Sequence, residues 1–247
     1  MTTPSSSQSR RSRSPWTRLA AAVPLGLLAT VACSDSTSTT TPATYITADL
    51  GNAQTGTVQT TLPDSLTVLV TDVNNNPLSG ITVTWTGGAF AGVPSSSSVV
   101  TNSSGLAKVA WLLGSTADTG SMLDSMTASI ATSTGTISAV FTAIATPGPV
   151  AAITAVTPLT ASTGTAGVTV VPLQVRVIDQ YNNPVSNATV TWSLVGAGTL
   201  SNTTTTTIVS GIAAVNWTLG SGSGTVTATV AIPGGTTQTA TFTGTGS

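Results

Sequence analysis

The 247 residues are 40% hydrophobic and 5% charged, with 52 Thr, one Cys and neither His nor Glu. Without those two residue types a Ser-His-Asp triad or a histidine metal site cannot be built, and abundant Thr and Val beside few strong helix formers point to strands. Behind Cys33 the chain carries Lys108 and Arg176 against seven Asp, a formal charge of −5, so it offers no basic surface to nucleic acid or an anionic bilayer.

Taken from the N-terminus, residues 1–18 are basic and acid-free, residues 19–32 are apolar, and small residues lead to Cys33, the order of a signal peptide over residues 1–32. The apolar stretch is shorter than the ~20 residues that span a bilayer and contains Pro24. Thr30-Val31-Ala32-Cys33 resembles a bacterial lipobox, with Thr30 where that family usually has Leu. The resemblance implies that Cys33 is lipidated and becomes the new N-terminus; cleavage by ordinary signal peptidase, leaving an unpaired thiol, is the alternative. No second Cys exists to form a disulfide within the chain. Several acyl chains, at ~0.8 kcal/mol per buried methylene, would anchor the protein in a membrane with no other segment. Ser34, not Asp, follows the Cys, which by resemblance to lipoprotein sorting in diderm bacteria implies the outer membrane. Residues 33–44, the Cys and a Ser/Thr-rich run without apolar period, are predicted to be a flexible tether.

The remainder repeats itself. Residues 66–85 (LTVLVTDVNNNPLSGITVTW) match residues 173–192 (LQVRVIDQYNNPVSNATVTW) at an offset of 107, and residues 105–114 match 211–220 at 106. A period near a hundred residues suits independent domains, predicted over 45–146 and 150–247 with Pro147-Gly148-Pro149 as a short, semi-rigid joint. Apolar residues alternate in each copy: Leu66, Val68 and Val70 share a face, as do Leu173, Val175 and Val177, with Thr67 and Thr71 pointing out. Short alternating strands of this total length predict an all-β pair of two-sheet sandwiches. Trp85, Trp111, Trp192 and Trp217 stand in phase with their strands' apolar residues, so they are assigned to the cores rather than to sugar-stacking platforms, with Phe141 and Phe242 closing each core.

The loop running from Asp72 to Pro77 recurs from Asp179 to Pro184. One Asp per loop is too few carboxylates for an EF-hand-like calcium site, and turn chemistry accounts for it: Asp accepts from backbone amides ahead of it, and Asn tolerates positive φ. Gly80 aligns with Asn187, the exchange expected where the backbone needs positive φ. The order V-x-D-x-x-x-N-P-x-x-G-x-x-V-x-W, then T-x-x-x-G-x-A-x-V-x-W-x-L-G, resembles the group 1 bacterial immunoglobulin-like domains of the invasin and intimin kind. Copy one carries it from Val70 to Trp85 and from Thr101 to Gly114, and copy two from Val177 to Trp192 and from Thr207 to Gly220. The resemblance implies tandem immunoglobulin-like sandwiches that act as spacers projecting a binding tip. Neither a barrel-length set of strands before the repeats nor a cysteine-bearing tip after them is found, so the expected anchor is the lipid.

These readings lead to an exported, non-catalytic protein without cofactors, lodged in the outer membrane or at the cell surface, serving as a structural spacer or adhesion module. The alternative is a polysaccharide- or protein-binding module with its site in the loops of domain 2, where Tyr181 is the only aromatic of either Asn-Pro turn. Expected partners are the membrane, through the lipid, and an envelope or extracellular protein or glycan. Two further segments are weighed and set aside as sites. Gly220-Ser221-Gly222-Ser223-Gly224 reads as a hairpin rather than a phosphate cradle, and Asp118 and Asp124 fall in a five-residue insertion read as a longer, solvated hairpin loop.

Overall fold

The computed structural model describes residues 41–118, 123–157 and 162–247; the expected signal peptide, Cys33 and most of the expected tether lie outside these. All regular structure among the described residues is β. Domain 1 holds β1 (Tyr45–Leu50), β2 (Gln54–Thr57), β3 (Leu66–Thr71), β4 (Thr82–Gly87), β5 (Val93–Pro94), β6 (Ser98–Val100), β7 (Leu106–Val109), β8 (Trp111–Leu112), β9 (Asp124–Thr132) and β10 (Gly135–Thr146). A three-stranded sheet, β1-β3-β7, faces a five-stranded sheet, β2-β10-β9-β4-β6, with β5-β8 as a small third ladder. Alternate residues of both sheets meet in one core, where Leu66, Val68, Val70, Val83, Ile130 and the indoles of Trp85 and Trp111 are almost wholly buried. Trp85 packs on Phe141 with ring centroids 5.7 Å apart and planes inclined at 35°.

Domain 2 holds β11 (Ala152–Ala155), β12 (Ser162–Gly164), β13 (Val170–Ile178), β14 (Thr189–Leu200), β15 (Thr204–Thr206), β16 (Ile212–Ala231) and β17 (Thr237–Gly246), all hydrogen-bonded into one sheet. Its separate core buries Val175, Val177, Val190, Leu219, Trp217 and Trp192, the last 6.3 Å from Phe242. The long β16 is shared along its length by three strands, and Trp217, Thr218 and Leu219 also pair with the far end of β14. Residues from Ile212 to Thr218 pair with β13, and residues from Gly224 to Ala231 pair with β14 and β17.

Four expectations change in detail. The glycine-serine run is no hairpin: it lies inside β16, where the register slips at Ser221/Gly222 and, opposite, at Gly196/Gly198. Small residues are needed there because β16 must pass close to its own indole; a Cβ on Gly224 would stand 2.7 Å from Trp217 Cζ2. Thr67 and Thr71 do not point into solvent, since both are buried. They sit in the middle strand of their sheet, Thr67 between Leu50 and Lys108 and Thr71 beside Tyr45, and such short side chains are covered by larger cross-strand neighbours. Aligning Trp85↔Ala128 with Trp192↔Ala228 makes the insertion of copy one six residues long, not five. Asp124 is the first residue of β9 and is 6% exposed, so it belongs to no solvated loop.

Candidate functional site

The two Asn-Pro turns are built alike. Asp72 Oδ1 accepts from the amides of Asn74 (2.8 Å) and Asn76 (2.9 Å), and Oδ2 accepts from Asn76 Nδ2 (3.0 Å). Asp179 repeats the cage with Tyr181 N (2.8 Å), Asn183 N (2.9 Å) and Asn183 Nδ2 (2.9 Å). A carboxylate filled by protein donors is a turn brace, and local hydrogen bonding accounts for the residue type. Asn75 and Asn182 take φ of 63° and 67°, and the aligned Gly80 and Asn187 take 81° and 58°, all in the left-handed region. Behind each turn a glycine at positive φ lets the next strand approach: a Cβ on Gly105 would meet Val70 O at 2.7 Å, and one on Gly211 would meet Val177 O at 2.6 Å. Thr101 and Thr207 latch the far side, each hydroxyl donating 2.7 Å to a carbonyl (Leu78 and Val185) while accepting an amide proton (from Ile81 and Ala188).

The turns differ in what they touch. In copy two, Asn183 Nδ2 donates to Ser115 O at 2.8 Å and its Oδ1 accepts from Ala117 N at 2.9 Å, so one carboxamide holds the end of domain 1 with both of its ends. Asp179 Oδ2 adds a bond from Gly148 N (2.8 Å), which fastens the Pro-Gly-Pro linker to the same turn. The domain 1 segment is itself tied down: Asp118 N donates to Ala145 O (2.8 Å) and Asp118 Oδ2 accepts from Ala145 N (2.7 Å). Asn183 and Asp179 are buried, whereas Asn76 is exposed. For Asp179, burial works against the charged carboxylate, but donors from Asn183, Gly148 and Tyr181 outweigh it and lower the pKa; Asp72 is lowered chiefly by the Asn76 carboxamide.

The joint therefore joins Asp179 and Asn183, which the sequence presents as turn residues, to Ser115, Ala117 and Gly148. The signal for Asn183 was thin, since Asn76 occupies the same place in the repeat. Pro77 and Pro184 end their turns against Thr71 and Ile178, respectively. The indoles of Trp85, Trp111, Trp192 and Trp217 and the rings of Phe141 and Phe242 line the cores and are remote from solvent. Tyr181 is 38% exposed and joins the cage only through its amide. Among the described residues no group of three or more His, Cys, Asp or Glu comes together.

Two stacked-sheet domains joined by a hydrogen-bonded turn define a tandem immunoglobulin-like sandwich protein, a class that rests on the strands and registers above. No family model matches the chain, and no curated protein sequence matches it. Among solved structures it is similar to the D0-D1 domain of intimin (22% identity, TM-score 0.31, 83% of this chain and 99% of that one) and to the D00-D0 domain of intimin (17%, 0.41, 80% and 99%). It is also similar to InvD of Yersinia pseudotuberculosis (15%, 0.49, 82% and 56%).

Proposed function

We propose that this is a non-catalytic cell-envelope protein whose two domains form a spacer or adhesion module, held at the outer membrane or cell surface by a lipid on Cys33. The observation that carries the reading is the joint. A spacer must resist bending between its units, and the Asn183 carboxamide bridges the units while the Asp179 carboxylate fastens the linker, through buried or half-buried bonds that outcompete solvent better than surface contacts do. The test places nitroxide labels on exposed positions of the two domains, Ser138→Cys and Thr239→Cys, in a Cys33→Ser background. One narrow interlabel distance is expected in the parent and a broadened one on adding Asn183→Ala; a broad distribution in the parent overturns the spacer. Palmitate labelling tests the anchor, and equal incorporation into the parent and Cys33→Ser would sink it.

A second reading, a protein-binding module in the loops of domain 2, is favoured by one observation. An open cleft of about 880 Å³ is lined by Val156, Arg176, Pro184, Ile208, Val209 and Ile212. In copy one the same places hold Asp49, Leu69, Pro77, Asn102, Ser103 and Leu106, so the exposed aliphatic tip and the guanidinium are particular to domain 2. No aromatic ring lines the cleft, which favours a protein segment over a sugar. A photo-crosslinker at Ile208 should give a discrete adduct in intact cells; its absence would leave the spacer reading alone.

A further inference from the structure

We propose that Asp118 and Asp124 form a binding site for a calcium-class divalent cation beside the joint between the two domains. The two carboxylates are anchored against the same strand: Asp124 of β9 pairs with Ala143 of β10, and Asp118 is held through both its amide and its Oδ2 by Ala145, two residues along. Both line a cavity of about 110 Å³ together with Ala89, Phe90, Ala117 and Leu123. Asp124 is 94% buried by the 6% exposure of its surface, and its Oδ2 has no hydrogen-bond partner. A buried carboxylate without a donor is costly unless something neutralises it.

Among the described residues no side chain answers it. Beyond the leader its cations are Lys108 and Arg176; Lys108 stands beside Thr67 on β7 and Arg176 lies on β13 of domain 2. What remains is a proton or an added cation. The donor set is oxygen only, which selects a hard ion, and a site that leaves several positions to water suits calcium's loose geometry. With no third acidic residue joining the pair among the described residues, affinity should fall in the ~10⁻⁴ to 10⁻³ M range of extracellular modules. Ala117, next to Asp118, donates to Asn183, so an ion here would brace the segment that grips domain 2. The site stands independently of the spacer reading, because it requires only the pair and its cavity.

The test is thermal unfolding of the full-length protein at neutral pH, in excess chelator and in about 10 mM calcium chloride. The expected result is a rise in Tm of about 5 °C with calcium in the parent, and a shift within about 1 °C in both Asp124→Asn and Asp118→Asn. Amide exchange at Ala117 should slow with calcium in the parent alone. An unchanged parent Tm, or a full shift retained in Asp124→Asn, overturns the site.

Discussion

The two copies share one turn and put it to different uses. Asp72 and Asp179 carry the same three-bond cage, yet Asn76 faces solvent while Asn183 is closed over by Ser115 and Ala117. The cores diverge likewise. Trp111 Nε1 donates to Ala91 O, whereas the Nε1 of Trp217 is buried with no partner, wedged among Gly198, Gly224 and Gly244. A local motif thus sets the conformation of a turn or strand, and its neighbours decide whether that turn is a surface or a joint.

The largest expected effects test the cores. Trp111→Ala or Trp217→Ala should each cost ~3 to 5 kcal/mol by urea unfolding, enough to unfold a domain of ordinary stability. Phe substitutions sharpen the contrast. Trp111→Phe leaves the Ala91 carbonyl without its donor and should cost ~1 to 3 kcal/mol more than Trp217→Phe, where no bond is lost. Equal costs would show that Trp217 Nε1 finds a partner in solution.

Next comes the joint. Asn183→Ala removes two bonds across it and orphans the Ala117 amide, an expected ~1 to 3 kcal/mol with faster exchange at that amide. Asn76→Ala removes only its half-buried bond to Asp72, which crosses no joint, and should have a smaller effect, with no change in exchange at Ala117. A similar response to both would erase the difference between the turns.

Asp124 tests the inserted segment that only copy one possesses. Burial first, and the Asp118 charge second, raise its pKa from 3.8 to about 6. The folded state then binds the proton more tightly than the unfolded chain, so this stabilisation is fully present below about pH 4 and is lost as pH rises through about 6. In chelator at neutral pH, Asp124→Asn should stabilise the protein by ~1 to 2 kcal/mol, discounted for partial screening, and flatten the stability profile between those pH values. Destabilisation by the isosteric amide would mean that the carboxylate has a donor.

Most of the architecture was legible because period-two burial and a gapless repeat both report on backbone geometry, and residues such as Val68, Val70, Val175 and Val177 are placed by it. What could not be read depends on tertiary neighbours. Asn183 looks like Asn76 until Ser115 is set against it, and Asp124 looks like a loop carboxylate until β9 is seen to begin with it. The glycine-serine run resembled a turn because small residues serve turns and close strand crossings equally, and only Trp217, packed against Gly224, tells them apart. The cleft of domain 2 could have been found by subtraction, since Ile208-Val209 replaces Asn102-Ser103 in an otherwise polar turn.

The smallest expected effect concerns the aligned pair Gly80 and Asn187. Both sit at positive φ, 81° and 58°, and both amides bond across to the latch threonine's carbonyl, Gly80 N to Thr101 O at 3.0 Å and Asn187 N to Thr207 O at 2.8 Å. A Cβ on Gly80 meets nothing within 4 Å, so space does not decide what fits there and backbone preference does. Asn enters the left-handed region at little cost, so exchanging the two residues should alter stability by no more than ~0.5 kcal/mol in either copy. Gly80→Val, with a branched side chain at the same φ, should cost ~1 to 2 kcal/mol by the same measurement. If the Asn and Val variants lost equal stability, the repeat would be preserving a contact at this position and not a dihedral angle.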